Sequence, residues 1–97
     1  MSHNRTSGAH DDIAVLNALA AAYAGFGQFD TAFTLLDMST HLMSANPETH
    51  RIRAVVAMQA GLQDQALASV DALEDITHID DDMMRLRNHA LALQADI

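Results

Sequence analysis

Gly27-Gln28-Phe29-Asp30-Thr31-Ala32 recurs as Gly61-Leu62-Gln63-Asp64-Gln65-Ala66, with Gly, Asp and Ala each displaced by 34 residues. A period of that length holds two helices and their turns, and such units bury their apolar faces by stacking on one another. The glycine supplies a backbone reversal, the aspartate suits a helix start, and the alanine lets two helices approach closely. The repeat decides the fold class, which is all-α.

Outward from the first copy, Ile13, Leu16, Leu19, Ala20 and Tyr23 recur at steps of three and four, one apolar face of a helix. Asp11 and Asp12 are expected to cap it, and Gly25 and Gly27 to end it. Asp30 is expected to cap a second helix carrying Ala32, Phe33, Leu35, Leu36, Ser39, Leu42 and Met43. Asn46-Pro47-Glu48 predicts the start of a third, with Asn at the cap and Pro at the first helical position. Ile52, Val55, Val56 and Met58 lie inside it, and Gly61 closes it. Asp64 is expected to cap a fourth helix with Ala66, Leu67, Val70 and Leu73. Thr77 to Asp82 is a break whose acids suit the start of a fifth, with the stripe Met83, Leu86, Ala90 and Leu93. The connections are short, so consecutive helices are expected to be antiparallel neighbours. Residues 1–10 lack periodicity and are expected to be a flexible segment ahead of a helical domain over 11–97.

Ninety-seven residues allow one domain with a small core. The chain is rich in Ala and has no Trp, so each core residue buries little area, and marginal stability or dependence on a partner is expected. Thirteen acids face five Arg and no Lys, a net charge of -8. That balance argues against phosphate-driven nucleic-acid binding and against an anionic membrane surface, and leaves a basic protein partner open. The apolar run Ala18 to Ala24 is too short to span a bilayer. There is no Cys, hence no disulfide framework or thiol chemistry, which suits a reducing cytoplasm. A cytoplasmic location is the expectation.

Six His and many acids invite a metal reading, and His78, Asp80, Asp81 and Asp82 cluster. Acids just before a helix are explained by capping, however, and no HExxH or EF-hand pattern occurs. Nor does a GxSxG, a phosphate-binding loop or a dinucleotide fingerprint occur. No enzyme activity, metal or cofactor is expected.

The 34-residue period resembles the tetratricopeptide repeat. In the first unit Leu16, Leu19, Ala20, Tyr23, Gly27, Ala32 and Leu36 match its pattern. In the second, Ala54, Gly61, Ala66 and Val70 match, while Ala57 stands where Tyr is usual and Arg53 where Leu is usual. The third has only its first helix, with Met84, Asn88 and Leu91 in the frame. The resemblance spans about residues 12–95 and implies a right-handed helical solenoid of about two and a half repeats and five helices. A generic five-helix bundle is the alternative. A small acidic repeat chain with Leu35-Leu36-Asp37 through Leu42, then Asn46-Pro47-Glu48 and Arg51-Ile52-Arg53, is also similar to the tetratricopeptide chaperones of bacterial type III secretion. Within that family it is most similar to the short export chaperone of the Y class, with the needle and translocator chaperones as relatives.

That resemblance implies a protein or peptide ligand, a secreted substrate or a co-chaperone, held in a concave groove. By the family's register the groove falls on Asn17, Ala21, Ala24, Arg51, Val55, Met58, Gln59, Arg85, His89 and Ala92. Val55 and Met58 read equally as groove or core, and Arg51 and Arg85 as partners for ligand carboxylates. The carboxylate clamp of heat-shock adaptors is not expected, because Ala21 and Ile52 replace its Asn residues and Lys is absent. Phe33, Met38 and Met43 read either as packing or as a self-association surface, which keeps a homodimer open. The weaker aromatic content of the second unit places the expected partner there. A general adaptor or scaffold is the second functional reading.

Overall fold

The computed structural model describes residues 5–95. Five helices run in order: α1 (Arg5–Gly25), α2 (Phe29–Leu42), α3 (Pro47–Gln59), α4 (Gln63–Ile76) and α5 (Asp81–Ala95). No strand occurs among the described residues, so the all-α expectation and the five helices are both met.

The repeated hexapeptide is one turn built twice. Gly27 and Gly61 have φ of 79° and 77°, a region that L side chains rarely adopt. At the first turn Gln28 N–H donates to the Tyr23 carbonyl at 2.9 Å and Gly27 N–H to that of Ala24 at 2.9 Å. At the second, Leu62 N–H donates to the Ala57 carbonyl at 2.8 Å and Gly61 N–H to that of Met58 at 3.1 Å. Both are Schellman closures, which satisfy carbonyls that a helix end leaves free. The next helix starts at once, because Ala32 N–H already donates to Gln28 O and Ala66 N–H to Leu62 O. Gln28 and Leu62 are therefore the caps, without side-chain bonds. This corrects the expectation for Asp30 and Asp64, which lie in the first turns, where their charge favours the helix dipole instead.

Asn46 caps α3 as expected. Its Oδ1 accepts from Thr49 N at 3.0 Å, and Pro47 follows as the first helical residue. Thirty-four residues on, Asp80 Oδ1 accepts from Met83 N at 2.9 Å and caps α5. The same register reaches Asp12 in α1, but there the helix runs on to Arg5. Asp11 and Asp12 thus sit within α1, because nothing in the preceding residues interrupts the helix. The expected break after residue 10 is absent, and residues 1–4 of that segment lie outside the described residues.

Consecutive helices pack in pairs, α1 with α2, α3 with α4 and α4 with α5, while α3 also meets α1, α2 and α5. Thus α1, α3 and α5 stand in a row, and α2 and α4 do not pack on each other. Thr40 of α2 and Gln65, Ala68 and Ala72 of α4 nevertheless share one cleft over Arg53, which puts both helices on the same side of that row.

Position in the row decides which face of a helix is buried. The middle helix, α3, buries Thr49, Ala54, Val56 and Ala57 and so is covered on two flanks. On α1 the buried residues are Ile13, Asn17, Ala20 and Ala24, while Val15, Leu19 and Ala22 are exposed. On α5 the pattern reverses: Met83 and Ala90 are buried, and Met84, Asn88 and Leu91 are exposed. The expected stripe Met83, Leu86, Ala90 and Leu93 is the buried or half-buried side of α5. The expected stripe of α1 is corrected, since Leu19 and Tyr23 are at the surface and Asn17 and Ala24 take their place inside.

The core falls into two clusters. Ala20, Ala24, Ala32, Leu36 and Val56 form one, with Phe29, Phe33, Leu35 and Ile52 packed on it. Ala54, Val70, Leu73 and Met83 form the other, with Ile79 and Leu86 against it. The alanines at the centre of both clusters allow close helix approach, and the branched side chains beside them supply most of the buried volume.

Candidate functional site

The ten groove residues reduce to three equivalent positions on α1, α3 and α5, plus Gln59. The structure divides them by their place in the row. Asn17, Arg51 and Arg85 pass from buried through half-buried to exposed, and so do Ala24, Met58 and Ala92. Each helix covers the equivalent residue of the one before it, and nothing among the described residues follows α5.

Asn17 is only 3% exposed, and its Nδ2 donates to Thr49 Oγ1 at 3.0 Å. It joins α1 to the capped start of α3, where the Thr49 hydroxyl also lies 3.3 Å from Asn46 Oδ1. A buried amide needs such partners, so Asn17 is a joint between two helices and not a groove residue. Ala24 belongs to the first core cluster and is likewise corrected. Ala21, Gln59, His89 and Ala92 are exposed, Val55 is 39% exposed and Met58 is half-buried. These residues, with Arg51 and Arg85, leave a shallow surface along the row that is mixed in character.

Both arginines on that surface already have partners. Arg51 Nη1 lies 2.9 Å from Asp80 Oδ2, and its Nε lies 3.3 Å from Glu48 Oε1. Arg85 pairs with Asp82, one helical turn earlier. Asp80 is held below the ordinary carboxylate range, first by the Met83 N–H that it caps; desolvation opposes this, and the charge and hydrogen bond of Arg51 lower it further. A ligand carboxylate would have to displace these pairs, which weakens the expectation of a basic groove.

Two further arginines hold successive units together. Arg53 Nη2 meets Asp37 Oδ1 at 2.8 Å, and Arg87 Nη2 meets Asp71 Oδ1 at 3.6 Å and Glu74 Oε1 at 2.7 Å. Arg53 to Arg87 and Asp37 to Asp71 are the same 34-residue step, so one cross-unit ion pair is used twice. Leu19 occupies the equivalent position in α1.

The larger apolar surface is the free end of the first hairpin. Phe26 is 80% exposed and Val15 is 58%, and Leu19, Tyr23, Met38 and Leu42 are also open. Leu16, Met38 and Leu42 line an open depression of about 390 Å³ with Thr34, Asp37 and His41 at its rim. Phe33 and Met43 are half-buried, and Phe33 packs on the first cluster, so of the three residues read as sticky only Met38 contributes much to this surface. Sequence reasoning missed Phe26 and Val15. The signal was present, since Val15, Leu19, Ala22 and Phe26 recur at helical spacing on the side opposite Ala20.

Among the described residues no group of three His, Cys, Asp or Glu is placed to hold a metal, and no helix is long and apolar enough to cross a membrane. Compared with protein-family models, with curated proteins and with solved structures, the chain has no significant match in any of the three.

Proposed function

We propose that this chain is a protein-binding helical repeat of the tetratricopeptide type, acting as a chaperone that sequesters a small export substrate of a type III secretion system. The observation that carries the protein-binding part is the repeated joint. Turn glycine, helix cap and cross-unit ion pair each recur at 34 residues, and Ala21, Val55 and His89, equivalent in that register, are each exposed on α1, α3 and α5. Stacked hairpins of this kind offer extended surfaces to a helical or extended ligand. The secretion part rests on the resemblance of residues 35–53 alone. The ligand surface is the row carrying Ala21, Val55, Met58, Gln59, His89 and Ala92, flanked by the paired Arg51 and Arg85.

Coexpression with the small proteins encoded beside this chain is the test. A stable stoichiometric complex is expected. Val55→Asp should weaken it by about tenfold or more, because truncating or charging a central apolar contact costs at least that much. Val55 lies at the surface, so helicity should be unchanged. A complex indifferent to Val55→Asp would remove the row surface from binding. A complex with a partner unrelated to export would favour the adaptor reading, and in either case the paired arginines suit the row less to an acidic ligand.

A further inference from the structure

The exposed stripe on α1 is a docking face in the chain's own register. Val15, Leu19 and Ala22 correspond, at 34 and 68 residues, to Thr49, Arg53 and Val56 on α3 and to Met83, Arg87 and Ala90 on α5. On α3 and α5 these residues are buried or half-buried against the preceding hairpin. On α1 the same face is bare, and Phe26, Met38 and Leu42 extend it.

We propose that this end face binds a second copy of the chain around a two-fold axis, with the two α1 helices crossing near Leu19 and Ala22. Three observations commit it to that occupant. Where α3 and α5 use an arginine to meet an aspartate of the preceding unit, α1 has Leu19, so the occupant must be apolar opposite this point. The opposite end of the chain matches it less well, because α5 presents Arg85, Asn88 and His89 between the exposed Met84 and Leu91. The face itself can supply it, and a closed two-fold contact is the commonest way for one surface to meet its like.

The area agrees. The six exposed side chains Val15, Leu19, Tyr23, Phe26, Met38 and Leu42 present on the order of 600 Å², close to the ~800 Å² that each partner contributes to a standard interface. A chain of net charge -8 repels its copy; seven of its thirteen acids lie between Asp64 and Asp82, away from this end, while Asp11 and Asp12 on α1 and Asp37, paired with Arg53, lie near it. The proposal rests on the reading of the chain as stacked repeats and does not involve the row surface.

Analytical ultracentrifugation of the full chain across a micromolar range tests it. A reversible dimer is expected. Leu19→Arg, which restores the residue of the other two units, and separately Phe26→Ser should each raise the dissociation constant by about 100-fold, since each contact occurs twice in a two-fold interface. Both positions are exposed, so the far-ultraviolet circular dichroism of the dissociated variants should match that of the dissociated parent chain. The chain has no Cys, so Ala22→Cys is a clean reporter of the axis and should oxidise to a covalent dimer, whereas Ala92→Cys should not. A monomer throughout the range overturns the proposal, as does a dimer that survives both variants or that links through Ala92→Cys. A heteromeric partner that occupies Leu19 and Phe26 while the chain alone stays monomeric also overturns it. Failure here leaves the Val55→Asp result untouched, so the two readings fall separately.

Discussion

In the first hairpin Val15, Ala22 and Tyr23 stand at the surface, whereas 34 residues later, in the second, Thr49, Val56 and Ala57 are buried. The two hairpins share a turn, a small-residue crossing and a core leucine or valine at the same register, so the difference lies in their neighbours. The second hairpin has the first on one side and α5 on the other. Among the described residues the first has only the second. An aromatic ring is tolerated at Tyr23, which is 37% exposed, and a methyl group is what fits at Ala57, which has no exposed surface. From the sequence alone, the exchange of Tyr for Ala reads as lost core bulk and points to a partner at the second unit. The structure corrects the premise of lost bulk, because Ala57 is fully buried, and it shows the larger open apolar face on the first unit.

Cavity formation gives the largest test of that comparison. Leu36→Ala in the first hairpin and Leu73→Ala in the second should each cost about 2–5 kcal/mol in urea denaturation, because both side chains are fully buried. Similar costs mean that the second core is as well packed as the first. A much smaller loss at Leu73 would revive the idea of an underfilled second unit.

The turns should respond alike and less strongly. Gly27→Ala and Gly61→Ala meet no atom within 4 Å of the new Cβ, so positive φ alone sets the cost, about 1–2 kcal/mol each. Unequal losses would show that the two turns are not equivalent in energy despite their common geometry.

The smallest effect is expected at the caps and depends on pH. Asn46→Ala should cost about 1 kcal/mol at every pH, because its amide does not titrate. Asp80 behaves differently, since its folded pKa is lowered. A group with a depressed folded pKa contributes stability above its unfolded value, ~3.9 for Asp, and loses it as pH falls through the folded one. Asp80→Ala should therefore destabilise near neutral pH, with the deficit shrinking in acid below about pH 4. Thermal melts of both variants across pH check this, and a deficit at Asp80 that persists in strong acid would contradict the role of its charge.

Features that depend on a few consecutive residues could be read from the chain alone. Helix number, the positive-φ glycines, the Asn46-Pro47 start and the acidic start of α5 were all legible, because backbone sterics and capping act within about four residues. Even there, Gln28 and Leu62 displaced Asp30 and Asp64 as caps, since a Schellman closure passes its last carbonyl directly to the next helix. Burial, by contrast, is set by how the helices pack. That packing put Asn17 and Ala24 inside, left Ala21 and Ala92 outside, and paired Arg51 and Arg85 with carboxylates of their own chain. Equivalent positions look alike in a periodic sequence, but water is excluded from each only where another helix lies over it, and among the described residues none lies over the outer face of the first hairpin.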